Sequence, residues 1–68
     1  MNWYKQAQSH IILINYIEGN LQAIINGQEI FYENVDIESF KKITKYLKWW
    51  KYDKALELLS QFKNTVHP

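Results

Sequence analysis

The sequence predicts an α+β domain: a three-stranded antiparallel meander followed by an antiparallel pair of helices packed on one of its faces. Three observations carry that expectation. The run from His10 to Ile17 is apolar and rich in β-branched residues, a composition that suits a pleated strand. Asn26-Gly27 stands between two further short apolar segments. Asn-Gly is the strongest short hairpin signal, because a type I′ turn needs positive φ at both central residues. Behind Asp36, the residues Ile37, Phe40, Ile43 and Leu47 recur at helical spacing.

Each element follows in order. His10 to Ile17 is bounded by Glu18-Gly19-Asn20, a turn-forming cluster. Leu21 to Ile25 and Gln28 to Glu33 complete a sheet spanning about residues 9–33. Alternation places Ile30 and Tyr32 on one side of the third strand, with Glu29, Phe31 and Glu33 on the other. In the first strand it sets Ile12, Ile14 and Tyr16 against Ile11, Leu13 and Ile17. A strand apolar on both faces is normally covered on both. Asp36 is a good N-cap, and Glu38 complements the positive end of the helix. The first helix is expected over about 37–49. A second, over about 54–64, starts after Asp53 and turns Ala55, Leu58, Leu59 and Phe62 inward. The short connection makes the two helices antiparallel neighbours. Met1 to Gln8 is an arm or a lead-in strand, and its Trp3 and Tyr4 indicate packing.

Sixty-eight residues form a single domain, 1–68. A chain this short buries only about 60% of the surface that it exposes when unfolded. Without cysteine there are no disulfides and no thiolate metal sites, which fits a reducing compartment. Apolar residues reach 47% and aromatics 16%, so self-association is the available means of adding buried surface, and a homodimer is expected. Met1 to Ser9 is polar and Asn15 interrupts the run from Ile11 to Ile17, unlike a secretory leader. That run is also far short of the roughly 20 residues needed to span a bilayer. The expectation is a cytoplasmic protein of a host cell with no membrane partner. A net charge of +1 gives no general attraction to nucleic acid or anionic lipid. The wealth of Ile, Asn, Lys and Tyr, with no Arg, is the bias of AT-rich coding and points to an AT-rich bacterium or its phage.

The chemistry-bearing residues are few. Gly19 and Gly27 both belong to tight turns, so there is no phosphate-binding loop. No spacing suits a Ser-His-Asp set or a nucleophile elbow. Glu29 and Glu33 are expected as solvated charges. His10 and His67 stand near opposite ends of the chain and cannot fill a four-ligand shell. The sequence therefore predicts no enzyme, no catalytic residue, no metal and no cofactor.

Residues 45–52 are the most unusual stretch. Tyr46 and Trp49 share a helical stripe with Lys42, while Lys41, Lys45 and Lys48 share another. Ile37, Phe40, Ile43 and Leu47 already complete the inward stripe. Tyr46, Trp49, Lys42, Lys45 and Lys48 are thus expected to form a partner-binding surface with Trp49 as its anchor, since Trp and Tyr are enriched at binding hot spots. Interleaved lysines and aromatics can also stack bases and neutralise phosphates, but the lack of Arg and the small net charge stand against nucleic acid. Trp50 and Tyr52 either plug the corner between the helices or join this surface. Ile11, Leu13 and Ile17 are expected to form the dimer interface.

Two separated stretches carry a family resemblance. One is Ala23-Ile24-Ile25-Asn26-Gly27-Gln28-Glu29-Ile30-Phe31-Tyr32. The other is Phe40, Ile43 and Leu47 followed by Tyr52-Asp53-Lys54-Ala55-Leu56-Glu57-Leu58-Leu59. Together they resemble the N-terminal module of the rIIB accessory proteins of T4-type phages, which has a strand, a tight Gly turn, a second strand and two short helices. The resemblance covers roughly half of the chain and carries over no binding residue. It implies a phage-encoded, non-enzymatic protein that modulates host processes. Joined to the small size and surplus aromatic surface, it gives the expected function: a small phage or mobile-element protein that binds and inhibits a host protein, such as a CRISPR effector or another defence component. The alternatives are a nucleic-acid-binding regulator using the Lys and aromatic stripe, and a self-assembling structural protein.

Overall fold

A computed structural model describes residues 10–67; the Met1 to Gln8 arm lies outside the described residues. The elements run β1 (Ile11–Ile17), β2 (Asn20–Ile25), β3 (Gln28–Tyr32), α1 (Ile37–Lys48), α2 (Tyr52–Leu59) and β4 (Asn64–Val66). The strands form one antiparallel sheet in the order β1-β2-β3-β4. The architecture is the α+β meander with a following helix pair that the sequence predicts. The addition is β4, which returns after α2 to pair with the free edge of β3, matching Ile30 with Val66 and Tyr32 with Asn64.

Both hairpins close with two positive-φ residues: Glu18 and Gly19 at 51° and 84°, Asn26 and Gly27 at 52° and 84°. Such turns match the right-handed twist of the flanking strands. Asn26 also ties its turn to β1. Its amide donates to the His10 carbonyl at 2.8 Å, and its Oδ1 accepts from the His10 amide at 2.8 Å.

The face assignment in β1 differs from simple alternation. Leu13 pairs with Ala23 but Asn15 pairs with Gln22, so Ile14 is an extra residue in the ladder. A bulge of this kind reverses the faces of all that follows. Tyr16 therefore joins Ile11 and Leu13 on the core side, and Ile17 joins Ile12 and Ile14 on the outer side. There Ile12, Ile14 and Ile17 are 42%, 46% and 60% exposed. The turned-in Tyr16 donates its hydroxyl to the Val35 carbonyl and stacks on Phe40.

The core lies between the inner sheet face and the helices. The sheet supplies Ile11, Leu21, Ala23, Ile25 and Tyr32, the connection supplies Val35, and the helices supply Ile43, Ala55 and Leu59. Asp36 caps α1 as expected, accepting the Ser39 amide at 3.1 Å and the Ser39 hydroxyl at 2.7 Å. Two helical expectations change. Ile37 is half-exposed instead of inward, because it sits in the first turn, at the end of α1. The second helix starts at Tyr52 with Lys51 at the N-cap, so Asp53 lies in its first turn, and it stops at Leu59. Phe62 packs against the core from beyond the helix end.

Candidate protein-docking surface

The end of α1 shapes this surface. The Trp50 amide donates to the Leu47 carbonyl at 3.1 Å, and the Lys51 amide donates to the Tyr46 carbonyl at 2.7 Å. This is the Schellman pattern of helix termination, whose C′ residue adopts a left-handed conformation and is usually Gly. Here it is Trp50, at φ 60°. A Cβ in that conformation crowds the following carbonyl and costs about 1 kcal/mol. The indole does not recover that cost by burial, since Trp50 is 74% exposed and neighbouring Trp49 is 64% exposed.

Beside this corner, Lys42, Lys45, Tyr46, Trp49 and Lys51 line an open groove of about 260 Å³. Lys42 and Tyr46 also border a smaller depression of about 150 Å³ that reaches Lys54 and Leu58 on α2. Four of the residues singled out from sequence, Lys42, Lys45, Tyr46 and Trp49, are thus brought together. Lys48 is exposed but does not line the groove. Tyr46 is half-buried and packs against the core, so it forms the floor of the groove. Tyr52 also packs against the core, whereas Trp50 does not plug the corner.

The other sequence-derived set separates. Ile11 is 7% exposed within the core and Leu13 packs against it, leaving Ile17 as the one outward member. The bulge at Ile14 is the physical reason. The outer sheet face carries Ile12, Ile14, Ile17 and Phe31 instead.

Charge is strongly segregated, which the net value conceals. Lys41, Lys42, Lys45, Lys48, Lys51 and Lys54 all fall in residues 41–54, where Asp53 is the one carboxylate, and Glu57 joins Lys42 and Lys54 at the smaller depression. Glu18, Glu29, Glu33, Asp36 and Glu38 fall in residues 10–38, which contain no lysine. Among the described residues no lysine forms an ion pair; the one pairing is His67 Nδ1 with Glu29 Oε1 at 3.9 Å. Lys45 and Lys48 also complement the negative end of α1. Sequence reasoning passed over Lys51, Lys54 and the C′ position of Trp50, although the lysine spacing was a signal for the first two.

Among the described residues no group of three or more His, Asp or Glu side chains could hold a metal ion. No helix among them is long and apolar enough to cross a membrane. Comparison with known proteins found no match to any protein family, to any curated protein or to any solved structure.

Proposed function

We propose that this chain is a non-catalytic binding protein whose α1–α2 corner docks onto an apolar, acid-rimmed surface of another protein. One observation carries the reading: Trp50 combines a strained left-handed backbone with a 74% exposed indole. Folding would be served better by Gly at this position, so the side chain is there for contact with something else. Trp49 beside it supplies a second indole, and large aromatic anchors dominate binding energy at protein interfaces. Lys42, Lys45 and Lys51 form the rim, where charges act chiefly on association rate. The narrower reading is a phage or mobile-element protein that inhibits a host protein, with a defence component as its target. It is supported by the rIIB-like pattern and by an amino-acid composition of the kind that AT-rich coding produces.

Six lysines within residues 41–54, three of them lining the groove with Trp49, also favour a nucleic-acid reading, and one experiment separates the two. Tagged wild-type protein and Trp49→Ala are compared for capture of host components, with nuclease treatment and at low and high salt. Protein capture that survives nuclease and salt and is lost in Trp49→Ala supports the proposal. Capture that falls steeply with salt and disappears with nuclease supports phosphate binding.

A further inference from the structure

The outer sheet face has the chemistry that the helix corner is suited to meet. Ile12, Ile14, Ile17 and Phe31 are all exposed there. Ile17 and Phe31 line a depression of about 240 Å³ together with Gln22 and Glu18. Glu29, on the same face, accepts a hydrogen bond from the Gln22 amide group, and Glu33 follows it four residues on. The face is thus an apolar floor with carboxylates around it. The His67 ring borders Phe31 and Glu29 at one edge, and among the described residues no strand or helix packs over the face.

We infer that this face is the socket for the α1–α2 corner of a second copy of the chain, so that free protein associates head to tail. The inference rests on the reading of the corner as a docking surface. Charge decides the occupant. Two outer faces stacked on each other would oppose Glu18, Glu29 and Glu33 with their own counterparts, and like-charge juxtaposition is costly. The corner instead brings Trp49 and Trp50 to the apolar floor and Lys42, Lys45 and Lys51 to the acidic rim. The two patches lie on different parts of the molecule, so the contact is heterologous. Each association leaves one free corner and one free socket, which gives open chains or a closed ring and not a symmetric dimer. A target protein would compete with the socket for the same indoles.

Sedimentation velocity over a concentration series, with the full chain, tests this. Wild type is expected to form species larger than a dimer that shrink as salt rises, because the exposed charges are screened. Trp49→Ala/Trp50→Gly lacks the corner and Ile17→Lys lacks the socket; each, with circular dichroism confirming its fold, is expected to be monomeric. Mixed, they should form a one-to-one heterodimer and stop, since the first retains a socket and the second a corner. Wild type that stays monomeric at every concentration overturns the inference. So does a dimer that survives the corner substitutions but is lost in Ile17→Lys, which means sheet-to-sheet packing. In both cases loss of protein capture in Trp49→Ala would leave the docking surface standing, so the two readings fail separately.

Discussion

The rings of Tyr16 and Phe40 stack with centroids 4.0 Å apart and planes 5° from parallel, and the Tyr16 hydroxyl donates to the Val35 carbonyl. One side chain thereby joins β1, the β3–α1 connection and α1. Tyr16→Phe keeps the stack and removes the donor. It should cost about 1 kcal/mol, seen as a melting midpoint lower by roughly 4–8 °C. An unchanged midpoint would mean that the hydroxyl is satisfied elsewhere.

The Ile14 bulge makes an unusual prediction about chain length. Removing Ile14 leaves Leu13 beside Asn15, with Leu13, Asn15 and Tyr16 still on their present faces. The deletion variant should therefore keep a cooperative thermal transition. Without a bulge, the same deletion would turn Tyr16 outward and expel it from the core. A broad, non-cooperative melt would argue for that alternative.

Gly27 separates backbone strain from steric fit. It stands at φ 84°, and an added Cβ would meet nothing within 4 Å. Gly27→Ala should cost about 1 kcal/mol through conformation alone, and Gly27→Val more. Urea titration measures both. Equal stability of wild type and Gly27→Val would contradict the type I′ turn.

Two groups couple stability to pH, one at the acid end and one at the alkaline end. The Asp36 carboxyl is held below the usual aspartate range by its hydrogen bonds from Ser39. Its stabilising effect is complete above the unfolded value of about 3.9 and is lost as pH falls through the lower folded value. Burial pushes the Tyr32 hydroxyl up. Its contribution is complete below the unfolded value of about 10 and is lost as pH rises through the higher folded value. Asp36→Asn, which retains a capping side chain, should flatten the acid side of a plot of melting midpoint against pH and leave the alkaline side unchanged. Equal acid sensitivity in the two proteins would rule out Asp36 as a source.

The parts legible in the sequence were those with local causes. Asn26-Gly27 turns because both residues tolerate positive φ, Glu18-Gly19 turns on the freedom of Gly19, and Asp36 caps because its carboxylate reaches the Ser39 amide. The helix stripe exposed Lys42, Lys45, Tyr46 and Trp49 as residues the core does not fully use. The bulge was not legible, since a nearly continuous apolar run from Ile11 to Ile17 has no alternation for an extra residue to interrupt. Neither was β4, because Asn64-Thr65-Val66 becomes a strand only by meeting the edge of β3. The left-handed C′ position of Trp50 was not legible for a related reason: a helix stop is normally signalled by Gly at C′, and here that signal is missing.

The fold does not need the Trp50 indole, and the melting midpoint of Trp50→Gly tests this without knowledge of any partner. The measurement is made at a dilution where wild type is monomeric. Glycine relieves the left-handed strain and removes a side chain that is 74% exposed. The expected gain is about 1 kcal/mol, a midpoint higher by roughly 4–8 °C. A midpoint lower than that of wild type would show that the indole supports the fold, and would contradict the assignment of this corner as a docking surface.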